Sequence, residues 1–144
     1  FFFEARVKVD KGSTGTIGEQ ELFVGMSGLQ TGTDFMASDG LSRAFDNGVG
    51  FISYDGSTNI DCLQGASDVF STSAAATTYA DVTWMVLSIY SDGVTSSFYK
   101  DDVLLTTLNT NPPTAVVSPK LFFKGGEAKA GVLSVDYWIA ALER

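Results

Sequence analysis

Two pairs of carboxylates are the residues of this sequence whose type and spacing first suggest acid–base chemistry. Glu19 and Glu21 would share one face of a strand, as the paired acids of a glycoside hydrolase must converge on one bond. Asp101 and Asp102 are adjacent at a position where a hairpin turn would need Asx residues. Because charges at a strand entrance also keep a sheet edge soluble, structural roles are favoured for both pairs.

Three other patterns have a partial likeness to functional motifs. Residues 97–100 match the Ser-x-x-Lys motif of serine acyl-enzymes, but on a strand Ser97 and Lys100 point to opposite faces. The glycine-rich residues 12–18 lack the Gly-Lys-Ser/Thr ending of a phosphate loop. The oxygens of Asp34, Asp39, Asp46 and Asn47 could hold a calcium ion, although their spacing matches no calcium loop. We therefore expect no cofactor, with calcium as the alternative.

Composition excludes several kinds of site. The 144 residues include no histidine, which excludes Ser-His-Asp, Cys-His and His-rich zinc sites. A net charge of -8 argues against nucleic acid as a partner, since the phosphate backbone requires Lys and Arg. Cys62 is the single cysteine and permits no internal disulfide. Its strand-like flanks and the neighbouring Asp61 favour a small buried side chain over a reactive thiol.

The aromatic residues are the candidates for stacking on a sugar ring. Trp84 alternates with Val82 and Val86, which predicts a core position. Trp138 points opposite to Tyr137 and Ile139, which predicts a position on the outer or concave side of a sheet. If the chain is lectin-like, we expect its ligand to contact Trp138, Asp46, Asn47 and Tyr54.

Most segments alternate apolar and polar residues and end at glycine or Asx-Gly turns, which predicts an all-β antiparallel sandwich. Residues 3–9 read as a half-buried strand and residues 19–26 as a strand covered on both faces. Residues 82–90 read as a central strand that begins a meander ending at 107, and residues 132–142 as a long closing strand. Residues 27–48 and 71–78 are predicted to be loops.

The chain reads as one domain over residues 1–144. It opens with Phe1 rather than Met, so we expect a processed product or part of a longer protein that lacks residues upstream. Neither a signal peptide nor a membrane span can be read from the sequence, and no membrane partner is expected.

Several strand motifs in this order carry a family resemblance. They are Phe2-Phe3-Glu4-Ala5-Arg6-Val7, Phe23-Val24-Gly25-Met26, Val49-Gly50-Phe51, Ala80-Asp81-Val82-Thr83-Trp84, Phe98-Tyr99-Lys100-Asp101-Asp102-Val103-Leu104 and Leu133-Ser134-Val135-Asp136-Tyr137-Trp138. Together they resemble the concanavalin A-like lectin/glucanase jelly roll, in the laminin-G-like version found in tailed-phage virion proteins. The hairpin of that family usually has Gly where this chain has Asp102.

The resemblance implies a jelly-roll fold and a non-enzymatic virion structural protein, most concretely a capsid decoration or cement protein. Its expected place is the capsid surface, its partner the major capsid protein or another virion protein, and its state a homo-oligomer. The glucanase branch carries Glu-x-Asp-x-x-Glu, but no Glu-x-Asp occurs here, so an enzyme is not expected. The missing histidine also argues against the metal site of legume-type lectins.

Two other functions stay open. The alternative is an extracellular carbohydrate-binding module of a tail fibre or secreted protein, which would bind a glycan on a concave sheet face or at residues 27–48. A third is an adhesion domain of a cellular surface protein.

Overall fold

The structure is a computed structural model that describes residues 1–12, 20–28, 45–125 and 130–142. It contains ten strands in two antiparallel five-stranded sheets that pack face to face. Sheet A has the order β10-β1-β6-β7-β8, and sheet B has the order β5-β4-β3-β2-β9. The strands are β1 Phe2–Asp10, β2 Gln20–Ser27, β3 Gly48–Ser53, β4 Asn59–Ala66, β5 Val69–Thr78, β6 Trp84–Ser91, β7 Ser96–Lys100, β8 Val103–Leu108, β9 Ser118–Gly125 and β10 Val132–Ala141.

The predicted all-β antiparallel sandwich is confirmed. The described residues include no helix, and hence none long and apolar enough to cross a membrane. Strand β6, which contains most of the predicted central strand, is the third of five strands in sheet A. The meander of β6, β7 and β8 is antiparallel as expected.

The main core lies between the two sheets and follows from the alternation of the strands. In β1 the odd positions from Phe3 to Val9 are buried, whereas the charged even positions point to the other side. They meet Met85, Leu87 and Ile89 of β6 on the same face of sheet A. Sheet B contributes Leu22, Val24, Met26, Val49 and Phe51. The rings of Phe51 and Phe98 meet edge to face at 5.4 Å and link the two sheets.

A second apolar cluster lies on the outer face of sheet B. It contains Phe23, Phe45, Ile52 and Leu63, with Tyr54, Phe70 and Phe122 packed against it. Since β2 and β3 also face the main core, every residue of both strands is buried. The predicted strand over residues 19–26 is therefore covered on both faces, as expected for its described part.

Glycines make room for the aromatic rings of this second cluster. A Cβ atom on Gly50 would lie 2.6 Å from Cε2 of Phe23, and one on Gly65 would lie 2.4 Å from Cδ1 of Phe70. The Phe45 ring stands between them, 4.9 Å from Phe23 and 5.6 Å from Phe70 between centroids. Small residues in these strands are thus required by close ring packing.

Asp101 and Asp102 occupy the two-residue turn between β7 and β8. Their φ angles are 49° and 65°, which identifies the left-handed conformation of a type I′ hairpin turn. The Asp101 Oδ1 atom accepts a hydrogen bond of 2.9 Å from the Val86 amide. The structural role predicted for this pair is confirmed, and Asp102 adopts a conformation that usually favours glycine.

The sequence predictions for residues 71–78 and for Trp84 are wrong. Residues 71–78, predicted as a loop, belong to the ten-residue strand β5, because pairing with β4 outweighs the low strand preference of their Ser and Ala side chains. Trp84, predicted to lie in the core, is half-buried on the outer face of sheet A. Val82 has φ 53° and lies before β6, so the apolar alternation that placed Trp84 in the core begins outside the strand.

Most of the predicted loop over residues 27–48 falls outside the described residues, as do Glu19, Asp34 and Asp39. Of its described part, Ser27 ends β2 and Gly48 begins β3.

Candidate functional site

The outer face of sheet A, formed by the side chains that point away from the main core, brings together polar and aromatic groups from three adjacent strands. Glu4 of β1 lies between Ile139 of β10 and Ser88 of β6 in the strand register. The row continues through Tyr99 of β7 to Leu104 of β8. Residues opposite each other in neighbouring strands share a face, so these five side chains form a line across the sheet.

Glu4 is the centre of a hydrogen-bond network on this face. The Ser88 hydroxyl donates to its Oε2 atom over 2.8 Å, and the Tyr137 phenol donates to its Oε1 atom over 2.8 Å. The hydrogen bond to Glu4 is the main reason that the pKa of Tyr137 is raised above its usual value. Both carboxylate oxygens are thereby fixed in position, so Glu4 presents an oriented acceptor to any polar ligand on this face.

Trp84 lies on the same face, and two cations contact its ring. The Arg6 guanidinium carbon is 4.8 Å from the ring centroid, and the Lys8 Nζ atom is 5.0 Å from it. Arg6 also donates to Asp136 Oδ2 over 2.6 Å. The alternation of β1 predicted that these charges point outward, but only the pairing of β1 with β6 and β10 places Trp84 and Asp136 beside them.

Strand β10, at one edge of sheet A, exposes apolar side chains on both of its faces. Every residue from Val135 to Ala141 is exposed, with Trp138 at 53% and Ile139 at 50%. Among the described strands β10 pairs only with β1. We call this strand and its unpaired side the β10 edge. The exposed large apolar residues on it and directly after it are Val132, Val135, Tyr137, Trp138, Ile139 and Leu142.

The structure does not bring the four predicted sugar-binding residues together. Trp138 is opposite Ala5 of β1, a core residue, so it lies on the side of sheet A that faces sheet B. The prediction of an outer position is therefore wrong, although the ring is half exposed because β10 is an edge strand. Asp46 and Asn47 precede β3 of sheet B, whereas Tyr54 follows it. A strand of six residues separates them by about 20 Å.

The individual surroundings of Asn47 and Tyr54 are structural. Asn47 is 7% exposed, and its Oδ1 atom accepts hydrogen bonds from the Thr114 amide at 3.3 Å and the Thr114 hydroxyl at 3.4 Å. Tyr54 packs against the second apolar cluster. Asp46 is exposed. Asn47 thus stabilises the loop that contains Thr114, and Tyr54 contributes to the second apolar cluster. Both residues belong to the sheet B side of the molecule, away from the exposed aromatic residues on the outer face of sheet A.

Of the remaining motif residues, Ser97 and Lys100 point to opposite faces of their strand as predicted, whereas Glu21 does not have the edge position that the sequence favoured. Ser97 lies on the outer face of sheet A opposite Tyr90, whereas Lys100 points to the other side and donates to the Thr78 carbonyl over 2.6 Å. Glu21 is buried on β2, an interior strand of sheet B, so the prediction that its charge keeps a sheet edge soluble is wrong. Its Oε1 atom lies 3.3 Å from Lys124 Nζ, which compensates the buried charge. Neither arrangement is that of the catalytic motif that its sequence resembled.

Cys62 is fully buried in the main core, as predicted. Burial, with a smaller contribution from the Asp61 charge, raises the pKa of its thiol to about 12. The reactive thiolate is thus strongly disfavoured at neutral pH.

Within the described ranges no group of three or more His, Cys, Asp or Glu residues could hold a metal ion. The proposed calcium ligands Asp34 and Asp39 lie outside those ranges.

Sequence reasoning missed Glu4 and Ser88 as members of a polar cluster. The charged even positions of β1 indicated that Glu4 points outward, but Ser88 is separated from it by 84 residues and Tyr137 by 133. Only the strand order of sheet A brings the three together.

Neither a scan against models of protein families nor a search of curated proteins finds a significant match to this chain. Two surfaces of sheet A, its outer face and the β10 edge, expose side chains that could bind a partner or a ligand.

Proposed function

We propose that this chain is a non-enzymatic virion structural protein that acts by binding other protein subunits. Its most concrete form is a decoration or cement protein on the capsid surface of a tailed phage, with the major capsid protein or another virion protein as partner. The observation that carries this proposal is the exposed apolar surface of the β10 edge, with Trp138 and Ile139 half exposed. A concentration of exposed large apolar side chains on one strand is typical of a protein contact surface.

The exposure of β10 is particular to one side of the molecule. On the outer face of sheet B the rings of Phe23 and Phe45 are buried, whereas Tyr137 and Ile139 on the outer face of sheet A are exposed. An unpaired strand also offers backbone N–H and C=O groups to a strand of a partner. Sheet A therefore combines apolar area with directional hydrogen-bonding groups, which suits a protein partner.

The test is the copy number of this chain in purified particles of the phage that encodes it, measured by quantitative mass spectrometry against the major capsid protein. A decoration protein should be present in a fixed ratio to the capsid protein and amount to hundreds of copies. A few copies, or none, would contradict the proposal. Immunogold labelling of the same particles would show whether the copies are on the head or the tail.

A second candidate is an extracellular carbohydrate-binding module, favoured by the outer face of sheet A. Tyr137 and Tyr90 are exposed there, and the oriented carboxylate of Glu4 lies on the same face. Exposed rings can stack on a sugar while fixed polar groups receive its hydroxyls. This arrangement differs from the one predicted from sequence, since it uses neither Asn47 nor Tyr54.

A glycan array probed with the purified chain, with and without calcium, tests this candidate. If binding is found, Glu4→Gln should weaken it, whereas Ser71→Ala, at an edge of sheet B, should not. The absence of binding under both conditions would leave the virion proposal alone.

A further inference from the structure

The four edge strands of the two sheets differ in how they resist pairing with another chain. Strand β9 carries Pro119, Lys120 and Lys124, which are residues that block or discourage strand addition. Strand β5 also has ten residues without proline or lysine, but its side chains are mostly small and polar. A register shift does not distinguish these strands, since β5, β8 and β10 each have one in their pairing. Strand β8 has six residues. Strand β10 has ten residues and contains neither proline nor lysine.

The regular half of β10 has a self-complementary order of side-chain sizes. A register shift leaves Asp136 without a partner in β1 and divides the pairing into two regular parts, of which the one nearer the end of β10 covers Tyr137–Ala141. In this segment two large residues, Tyr137 and Trp138, precede Ile139, and two alanines follow it. An antiparallel pairing of two such segments about Ile139 would set Tyr137 opposite Ala141 and Trp138 opposite Ala140, so that each large ring covers a small side chain.

We propose that the β10 edge binds the β10 edge of a second copy of this chain, antiparallel and about a two-fold axis at Ile139. The axis is perpendicular to the sheet, so sheet A of one copy continues into sheet A of the other. In such an isologous interface each copy contributes the same residues, so the large rings of one copy face the alanines of the other in both directions. This inference names a partner for the surface on which the proposed function also rests.

Charge favours a second copy at this place over other parts of the surface. The chain carries a net charge of -8, so two copies repel each other in general. The segment Tyr137–Ala141 has no charged residue at neutral pH, and the neighbouring Asp136 is paired with Arg6 at 2.6 Å. Two β10 edges can therefore meet without bringing unpaired like charges together.

The area available at the edge indicates a reversible dimer. The exposed apolar side chains from Val135 to Leu142 have on the order of 600 Å² of exposed area per copy, of which edge-to-edge pairing covers only a part. The buried area is therefore below the limit of about 600 Å² per partner for specific, stable interfaces. Backbone hydrogen bonds across the edge add to this apolar contact. We expect monomers at low concentration and dimers at high concentration.

The first experiment measures the mass of the purified chain by sedimentation equilibrium over a range of concentrations. The apparent mass should rise from 15.3 kDa towards twice that value. Ile139→Lys should keep the chain monomeric, because it places two ammonium groups opposite each other on the axis. Leu104→Lys is the matched control, since Leu104 is 53% exposed in the same row at the other edge of sheet A, and it should still dimerise.

The second experiment replaces Ile139 by cysteine. Facing residues on neighbouring antiparallel strands have Cβ atoms about 4.5–5.5 Å apart, close to the spacing that a disulfide spans after a small adjustment. Mild oxidation should link Ile139→Cys into a covalent dimer, whereas Leu104→Cys should stay monomeric. Cys62 does not compete, because it is fully buried and burial disfavours its thiolate.

Three results would overturn this inference: a monomer at every concentration, a dimer that survives Ile139→Lys, or equal dissociation by Ile139→Lys and Leu104→Lys. The circular dichroism of each variant establishes that it is folded. A monomer that is abundant in virions would refute the β10 pairing and leave the proposed function intact. A dimer that is absent from virions would support the β10 pairing and refute the proposed function.

Discussion

Replacing Trp84 by alanine tests which face of β6 points into the core. In the structure the ring is half-buried and contacts Arg6 and Lys8 at 4.8 Å and 5.0 Å from its centroid. Cation–π contacts at exposed sites contribute about 0.5–1 kcal/mol each, and part of that is lost because the cations are solvated. With the apolar area that the ring does cover, we expect Trp84→Ala to lower the free energy of unfolding by about 1–2 kcal/mol.

A fully buried aromatic residue provides the comparison. Phe98 lies in the main core, and its ring contacts Phe51 edge to face at 5.4 Å. Its replacement by alanine removes buried area and leaves a cavity, with a typical loss of about 3–5 kcal/mol. Phe98→Ala should therefore destabilise the protein clearly more than Trp84→Ala.

Urea denaturation followed by far-ultraviolet circular dichroism gives both values without depending on tryptophan fluorescence. A third variant, Trp84→Phe, keeps an aromatic ring in contact with the cations and should recover most of the loss. If Trp84→Ala costs as much as Phe98→Ala, the ring is a core residue and the orientation of β6 described above is wrong.

Three further outcomes are expected. Gly50→Ala should lower the free energy of unfolding by about 2–3 kcal/mol, because its Cβ would lie 2.6 Å from the Phe23 ring; a urea midpoint equal to wild type would refute that packing. Cys62 should react with a thiol reagent only after denaturation, so rapid reaction of the native protein would contradict its burial. In an ultraviolet titration the pKa of the Tyr137 phenol, identified by the component lost in Tyr137→Phe, should lie above the usual tyrosine value, and Glu4→Gln should lower it. Because folding favours the neutral phenol, the associated stability is present below about pH 10 and is lost as pH rises through the folded pKa; an unchanged titration in Glu4→Gln would exclude the hydrogen bond as its cause.

The sequence predicted the strands whose side chains report burial directly. Strand β1 alternates charged and apolar residues, and β2 is apolar on both faces. The two-residue period of a strand is sufficient to interpret both patterns. The turn at Asp101 and Asp102 was equally local, since Asx residues tolerate the left-handed conformation found there. Strand β5 was missed because its Ser, Ala and Thr side chains carry no such pattern, and its identity depends on pairing with β4.

The surfaces of sheet A could not be predicted for a different reason. Apolar residues on both faces of β6 gave no local basis for choosing which face meets the core, so Trp84 was assigned to the wrong side. The sequence correctly predicted that Trp138 points to the other face of its strand from Tyr137 and Ile139. Its exposure, however, follows from the edge position of β10, which only the strand order establishes. The network of Glu4, Ser88 and Tyr137 likewise arises from long-range register rather than from any motif.

The complete burial of β2 and β3 has a consequence for the way this molecule opens. A backbone amide in these strands can exchange its hydrogen with solvent only when layers on both faces separate, which approaches the cost of global unfolding. Strand β10 is held by one neighbour and covered on neither face over most of its length, so its release exposes little additional apolar surface. The protein should therefore show a gradient of amide exchange from slow in the middle of sheet B to fast at the rim of sheet A. A partner bound at the β10 edge would slow the exchange of the β10 backbone amides and leave the other strands unchanged.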